Sequence, residues 1–286
     1  MSDYFTTTEV ADYLRLKERK IYELASEGRI PCSRVTGKWL FPRRLIDQWV
    51  LAHVEHADPA VGHPPPVIAG SHDPLLDWAV RESGCGLALL TGGSGAGLAR
   101  LVEGGAAAAG LHLVDAVGDY NVEALRQARA GADVVLVEWA KRTQGLVLAA
   151  GNPLGVTSLA DAVTRRLKFA RRQEGAGAQV LLRHLVAEAP VNFVTPTAGS
   201  ETDLAGLVAD DVADCGIGIA AVARLLRLGF LPLHRERFDL AVRRRDYFDP
   251  PFQTLLAFTR TDTFSRKAEE LTGYDVAATG TVTYNP

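Results

Sequence analysis

The rhythm of hydrophobic and polar positions changes near residue 53. Ahead of it, apolar residues recur at helical spacing: Val10, Ala11 and Leu14 behind the capping hydroxyls Thr7 and Thr8, then Ile21, Leu24 and Ala25 ahead of Gly28. The stretch "IPCSRVTGKWLFP" reads as a hairpin with Thr36-Gly37 at its tip, and "RRLIDQWVLAH" resumes the helical period. Two helices at a tight corner, a two-stranded wing and a third helix predict a winged helix-turn-helix unit over residues 1–53. Periodicity then disappears through "HVEHADPAVGHPPP", so residues 54–66 read as a linker whose closing prolines favour an extended chain. From Val67 to the end, apolar runs (VIAG, LALLT, LHLVD, VVLVEW, GLVLAAG, LKFA, CGIGI) alternate with helical segments (PLLDWAVRES, AGLARLVEGG, VEALRQARAG, GAGAQVLLRHLVAEA, AAVARLLRL). That alternation predicts an α/β body of mostly parallel strands, and so many strands suit two small sheets better than one.

Charge sharpens the division. The net charge of −3 speaks against a nucleic-acid binder, yet Arg15 to Arg44 holds nine Lys/Arg against three acids, a local +6. Residues 55–286 carry 22 basic and 27 acidic side chains, so a basic head precedes an acidic body. Lys17, Arg19, Lys20 and Tyr22 open the second helix, and Arg34 and Lys38 lie on the wing, where phosphates and groove edges of double-stranded DNA would be met. The three cysteines, Cys32, Cys85 and Cys215, have no metal-finger or disulfide spacing, and His53, His56 and His63 stand in the linker without acidic partners; no metal site is expected. The opening MSDYFTTTEV is unlike a secretory signal, and no apolar run reaches the roughly 18 residues of a membrane span, so a cytoplasmic protein without membrane contact is expected.

Four loops of the body follow strands and stand before helices: "AGSHDPLL" with Ser71, His72 and Asp73; "TGGSGAGL" with Ser94 and Gly95; "RRQEGAGAQ" with Arg171, Arg172 and Gln173 ahead of Ala176; and "ADCGIGIAA" with Asp214. Hydroxyls beside several helix N-termini make an anion pocket without a metal. Ser71 and Asp73 serve equally well as N-caps, and Arg142 and Arg172 have nearby partners in Glu138 and Glu174. "TGGSGAGL" is no phosphate-transfer loop, because Leu98-Ala99 follows Gly97 where a lysine is needed, and its third glycine comes one residue early for a dinucleotide fingerprint. No serine-histidine-acid or cysteine-histidine constellation emerges from sequence order, so no catalytic residue is assigned and no cofactor is required.

Two resemblances add to these readings. Over residues 5–50 the pattern "TTEVADYL…KIYELASEGRIP…V…GKWLFPRRLIDQWV" resembles the excisionase/MerR-type helix-turn-helix family. The ordered motifs "AGSHDPLL", "GGSGAGLARLVEGGAAAAGLHLVD", "DYN", "WAKRTQGLVLAAGNPLG", "RRQEGAGAQVLL", "ADCGIGIAAVA", "ERFDLAV" and "LTGYD", from Ala69 to Asp275, resemble type II periplasmic binding proteins. Within that class the body is similar to domains related to molybdate- and tungstate-binding proteins, found fused to helix-turn-helix or molybdopterin-biosynthesis proteins. The resemblance implies a PBP-like domain over 67–286 with lobe I at about 67–144 and 242–286 and lobe II at about 145–241, closing on a ligand. "QGLVLAAGNP" would lead into the second lobe and "RFDLAVRR" would return. It implies ligand contacts from Ser71, His72, Ser94, Gly95, Arg142, Arg172, Gln173, Ala176 and Gln179. One departure stands out: relatives commonly have G-S-G-T-R where this chain has Gly175-Ala176-Gly177-Ala178-Gln179, removing two hydroxyls and a cation. The expected protein is a homodimeric one-component regulator that senses molybdate or tungstate and alters operator binding. The alternatives are a sensor of the molybdenum cofactor, an accessory protein or enzyme of molybdopterin metabolism, and a sensor of a small organic anion.

Overall fold

A computed structural model describes residues 3–34, 37–53, 64–115, 117–128 and 133–286. The expected wing tip at Thr36 and the linker stretch 54–63, with His56 and His63, lie outside these residues. The chain divides into two compact units, Met1–Val61 and Gly62–Pro286.

In the first unit, α1 (Thr7–Leu14) begins with Thr6, one residue before the expected caps. The Thr6 hydroxyl accepts the Glu9 N–H and the Glu9 carboxylate accepts the Thr6 N–H, a reciprocal capping box. Helix α2 (Glu18–Ser26) ends as expected at Gly28, whose φ of +66° suits the left-handed turn that follows. Ser33 and Leu40 pair as the base of the wing. The return strand β2 (Phe41–Pro42) then pairs with β1 (Tyr4–Phe5), an N-terminal strand the hydrophobic pattern does not reveal. Helix α3 (Arg43–Ala52) closes the unit. Val10, Ala11, Ile21, Leu24, Ala25, Phe41 and Ile46 form its core.

The second unit alternates strands and helices as expected, but its strands join one continuous sheet instead of two. The order is β4 (Ala88–Thr91), β3 (Val67–Gly70), β5 (Ala108–Leu111), β10 (Gly229–Arg243), β6 (Val134–Leu148), β9 (Cys215–Ile219), β7 (Lys168–Phe169) and β8 (Asn192–Phe193). The pairing is mixed, not mostly parallel. β3, β4 and β5 pair in parallel, as do β7, β8 and β9, whereas every pair made by β6 or β10 is antiparallel. Two strands account for both differences. β6 and β10 are each 15 residues long and pair along their whole length. The outer half of β10 meets β5, and the far half of β6 meets β9. A parallel group on each side is thus joined through one antiparallel ribbon. One apolar core runs across both sides, from Leu75, Trp139, Phe252 and Phe264 to Leu204, Ile219 and Val222, and a second holds Leu148, Phe169, Leu182 and Ile217. Among the described residues no helix is long and apolar enough to cross a membrane.

Asp73, ahead of α4 (Pro74–Ser83), bonds to Trp139 and Arg142 of β6, while α5 (Ser94–Val102) and α8 (Gly177–Val186) both start against His112, which follows β5. The glycines of "TGGSGAGL" have a packing role. A Cβ at Gly97 would lie 2.7 Å from the Gly70 nitrogen, so α5 rides against β3 with no room for a side chain.

Candidate ligand cleft and DNA-binding face

The strand expected over "LHLVD" ends earlier, at Leu111, which sets His112 just beyond the end of β5. There its buried ring joins the two expected serines. The Ser71 Oγ is 2.8 Å from the Ser94 Oγ and 3.0 Å from the His112 Nε2, and the Ser94 Oγ accepts the His112 N–H at 3.1 Å. Ser71 follows β3 and Ser94 starts α5, so both hydroxyls stand at the C-terminal edge of the parallel group, where α/β sheets present ligand sites.

Behind this trio lies a fully buried ionic chain. The His112 Nδ1 is 2.6 Å from the Glu236 Oε2. Glu236 Oε1 accepts the Arg142 Nε–H at 2.8 Å and a second, closer bond from the same guanidinium. Arg142 also donates to the Asp73 Oδ2 at 3.0 Å, and Asp73 further accepts from the Trp139 indole, the Tyr274 hydroxyl and the Leu76 N–H. The guanidinium stacks on the Phe238 ring at 4.3 Å. Burial pushes the Glu236 carboxyl up, but the Arg142 charge and the His112 ring overcome it and hold the group at about 2. Burial likewise favours loss of the Arg142 proton, and Glu236 with Asp73 reverses this, leaving the guanidinium charged.

The opposite wall is α8 and its preceding loop. The His112 ring packs on the backbone of Gly177, where a Cβ would come within 2.6 Å of the His112 Nε2. Gly95 donates its N–H to the Gly175 carbonyl at 3.3 Å, and the Gln173 amide donates to the Gly92 carbonyl at 2.5 Å. The N-termini of α5 and α8 therefore meet at the hydroxyl pair.

The structure places the remaining expected contacts as follows. Ala176 is the buried N-cap of α8. Arg142 braces the cleft from behind through Glu236 and Asp73, not through the Glu138 that sequence proximity suggested. Arg172 is also buried and pairs with Glu201 at 3.0 Å, not with Glu174. Its N–H donates to the Gln179 Oε1, which ties that amide into the wall. The half-buried His72 gives its carbonyl to Arg142, while its Nδ1 has no partner among the described residues. Nor has the Gln144 Oε1, whose amide nitrogen lies 3.5 Å from the His112 Nδ1. His112, Glu236 and Gln144 were not expected. The one local signal for His112 is a histidine inside an otherwise apolar run, and Glu236 in "ERFDLAV" carries none.

In the first unit all six expected contacts are exposed: Lys17, Arg19, Lys20, Tyr22, Arg34 and Lys38. Lys17 is the N-cap of α2, Lys20 pairs with Glu23, and Arg34 stacks over Trp39 at 5.2 Å. Exposed cations at a helix start and on the adjoining wing can meet a phosphate backbone, with Lys20 first giving up its surface pair with Glu23.

Comparison with known proteins identifies both units. Residues 77–260 match the PBP superfamily domain, and residues 4–53 match a helix-turn-helix domain. The Bacillus subtilis protein YvgK is 25% identical over 304 aligned positions, which cover 97% of each chain. Among solved structures, a putative phosphate ABC transporter substrate-binding protein from Clostridium perfringens, with bound phosphate, is similar over 72% of this chain and 96% of its own. The TM-score is 0.55 at 14% identity. A cysteine-to-serine mutant of Corynebacterium glutamicum OxyR, in its H2O2-bound form, is similar over 93% of this chain and 92% of its own, with a TM-score of 0.51 at 14% identity. At such identities the structural likenesses show the fold alone.

Proposed function

The chain belongs to the PBP superfamily and carries a helix-turn-helix domain ahead of that body, and from this premise we propose that it is a one-component transcriptional regulator whose body senses a small oxyanion. The observation that carries the proposal is the meeting of the Ser71 and Ser94 hydroxyls with the N-termini of α5 and α8. Hydroxyl donors and helix dipoles together favour a small anion. Molybdate and tungstate are the best candidates by the resemblance of the sequence motifs, and the phosphate-bound relative binds another tetrahedral anion on the same fold. The molybdenum cofactor is a larger candidate of related chemistry. The regulator acts in the cytoplasm as a homodimer on a two-fold operator, with residues 1–53 as head, 54–66 as linker and 67–286 as sensor.

Two experiments test this. In thermal unfolding with molybdate, tungstate, sulfate and phosphate, one anion at a hundred times its Kd should add about 2.7 kcal/mol of stability. Ser94→Ala should lose about 1.5–3 kcal/mol of that anion's binding, roughly ten- to a hundredfold in Kd, because a hydroxyl bond to a charged group is lost. Full-strength binding by the variant would reduce the loop to scaffolding. For the head, a titration of duplex DNA over a salt series should give a steep dependence. The slope of log K against log salt should become shallower by about 0.9 for each of Lys17, Arg19 or Lys20 that meets one phosphate. A salt-insensitive affinity would remove DNA binding from the proposal.

A second reading is favoured by one observation: Ser71, His112 and Glu236 are spaced as a hydroxyl–imidazole–carboxylate relay, at 3.0 and 2.6 Å. Covalent capture of Ser71 by a fluorophosphonate probe, blocked by His112→Gln, would shift the assignment towards a hydrolase.

A further inference from the structure

We propose that the cleft takes up one proton together with its anion, and that His112 is the residue that receives it. The inference rests on the reading above that Ser71 and Ser94 both give their hydrogens to the ligand.

The first argument counts hydrogens. The ionised Glu236 carboxylate only accepts, so the His112 Nδ1, 2.6 Å away, carries a hydrogen. In a neutral ring the Nε2 then has none, and at 3.0 Å it accepts the single hydrogen of the Ser71 hydroxyl. The Ser94 Oγ accepts the His112 N–H and gives its own hydrogen to the Ser71 Oγ, 2.8 Å away. With a neutral ring both hydroxyl hydrogens are committed inside the protein. For an anion to receive both, the Nε2 must become a donor to the Ser71 Oγ, and the ring is then an imidazolium.

The second argument counts charge. The groups facing the ring come from every side. Glu236 lies on β10 and Arg142 on β6, with Asp73 behind Arg142. The neutral Gln144 amide and the Phe238 ring line two further sides. The start of α8 lies against the ring face at Gly177, and the start of α5 lies at Ser94. Asp73 and Glu236 against Arg142 leave one buried negative charge in excess, which an imidazolium cancels. The two helix N-termini oppose a second cation on their own, but a bound anion neutralises them. Proton and anion thus each favour the other, and the coupling is reciprocal. No acidic side chain on α5 or α8 faces the ring to take the proton in its place.

The consequence is a sensor that reads anion and pH together. Molybdate, tungstate and sulfate are fully deprotonated at neutral and mildly alkaline pH, so any proton taken up with them is the protein's. Calorimetric titration of the full chain with sodium molybdate, tungstate or sulfate, in buffers of different ionisation enthalpy at mildly alkaline pH, measures that proton directly. We expect uptake close to one proton per anion and a Kd that weakens about tenfold per pH unit on the alkaline side. Binding that depends on Ser71 and Ser94 but shows no buffer-dependent heat would overturn the proposal while leaving the oxyanion site standing. Absence of binding by all three anions, or binding indifferent to Ser71→Ala and Ser94→Ala, would remove the site itself. His112→Gln offers a neutral amide and should bind without proton uptake. Uptake that persists in this variant would assign the proton elsewhere, Asp239 being a buried carboxyl pushed up to about 6, and would also overturn the inference.

Discussion

Replacing Arg142 with alanine should destabilise the body by about 3–5 kcal/mol, the cost of leaving buried charges without their partner. The guanidinium is 1% exposed, and its loss strands two carboxylates at once, Glu236 and Asp73, each less than 3% exposed. Its place on the Phe238 ring is lost as well. The pH dependence separates this cause from simple cavity formation. In the natural chain the Glu236 carboxyl sits at about 2, below its ordinary value of 4.5. It therefore contributes stability that is fully present above that ordinary value and is lost as pH falls towards 2. Without Arg142, burial is opposed chiefly by His112, the carboxyl rises, and its charged form costs stability as pH climbs. The gap between the two proteins should widen from acid to neutral pH. Urea unfolding at several pH values measures it; a gap below about 1 kcal/mol, or one flat with pH, would mean the ionic chain is not what holds this region together.

How much of this was legible in the sequence follows from where each interaction finds its partner. The helices of the head are written locally: of the positions picked out by spacing alone, Val10, Ala11, Ile21, Leu24 and Ala25 are buried and Leu14 is half-buried against them. The strand β1 was not, because two residues carry no period and their partner is Phe41–Pro42. In the body the polar run Lys141-Arg142-Thr143-Gln144 reads as a break between two strands. It is instead the middle of β6, because its buried charge, Arg142, is paired from β10 by Glu236 opposite it in register. A polar interruption ends a strand only when nothing across the sheet satisfies it. The same holds at the cleft. Ser71 and Ser94 announce themselves as hydroxyls at helix starts, a local signal, whereas His112 and Glu236 come together only through tertiary pairing of residues far apart in sequence. The long ribbon β6–β10 also explains why a pattern of short parallel strands suggested two sheets when pairing makes one.

Gly177→Ala should weaken anion binding without removing any polar group from the site. Gly177 is the first residue of α8 and has no positive φ, so the backbone accepts alanine, and helix propensity there favours it by up to about 1 kcal/mol. The obstacle is spatial. The new methyl would meet Cε1, Nδ1 and Nε2 of His112 together. The ring cannot swing aside, because Glu236 holds one of its nitrogens and Ser71 the other, and Phe238 stacks on it. The wall formed by α8 must therefore give way, which carries the start of α8 off the hydroxyl pair. An anion held by both helix N-termini loses one of them. We expect at least a tenfold weaker Kd for the anion that stabilises the natural chain, about 1.4 kcal/mol. Without that anion, resistance to urea should fall by no more than the about 1–3 kcal/mol that overpacking costs, less what helix propensity returns. Because Gly177 carries no side chain to contact the ligand, this combination follows only if closure of α8 onto His112 completes the site. Unchanged affinity would show that the anion is bound by the Ser71 side alone.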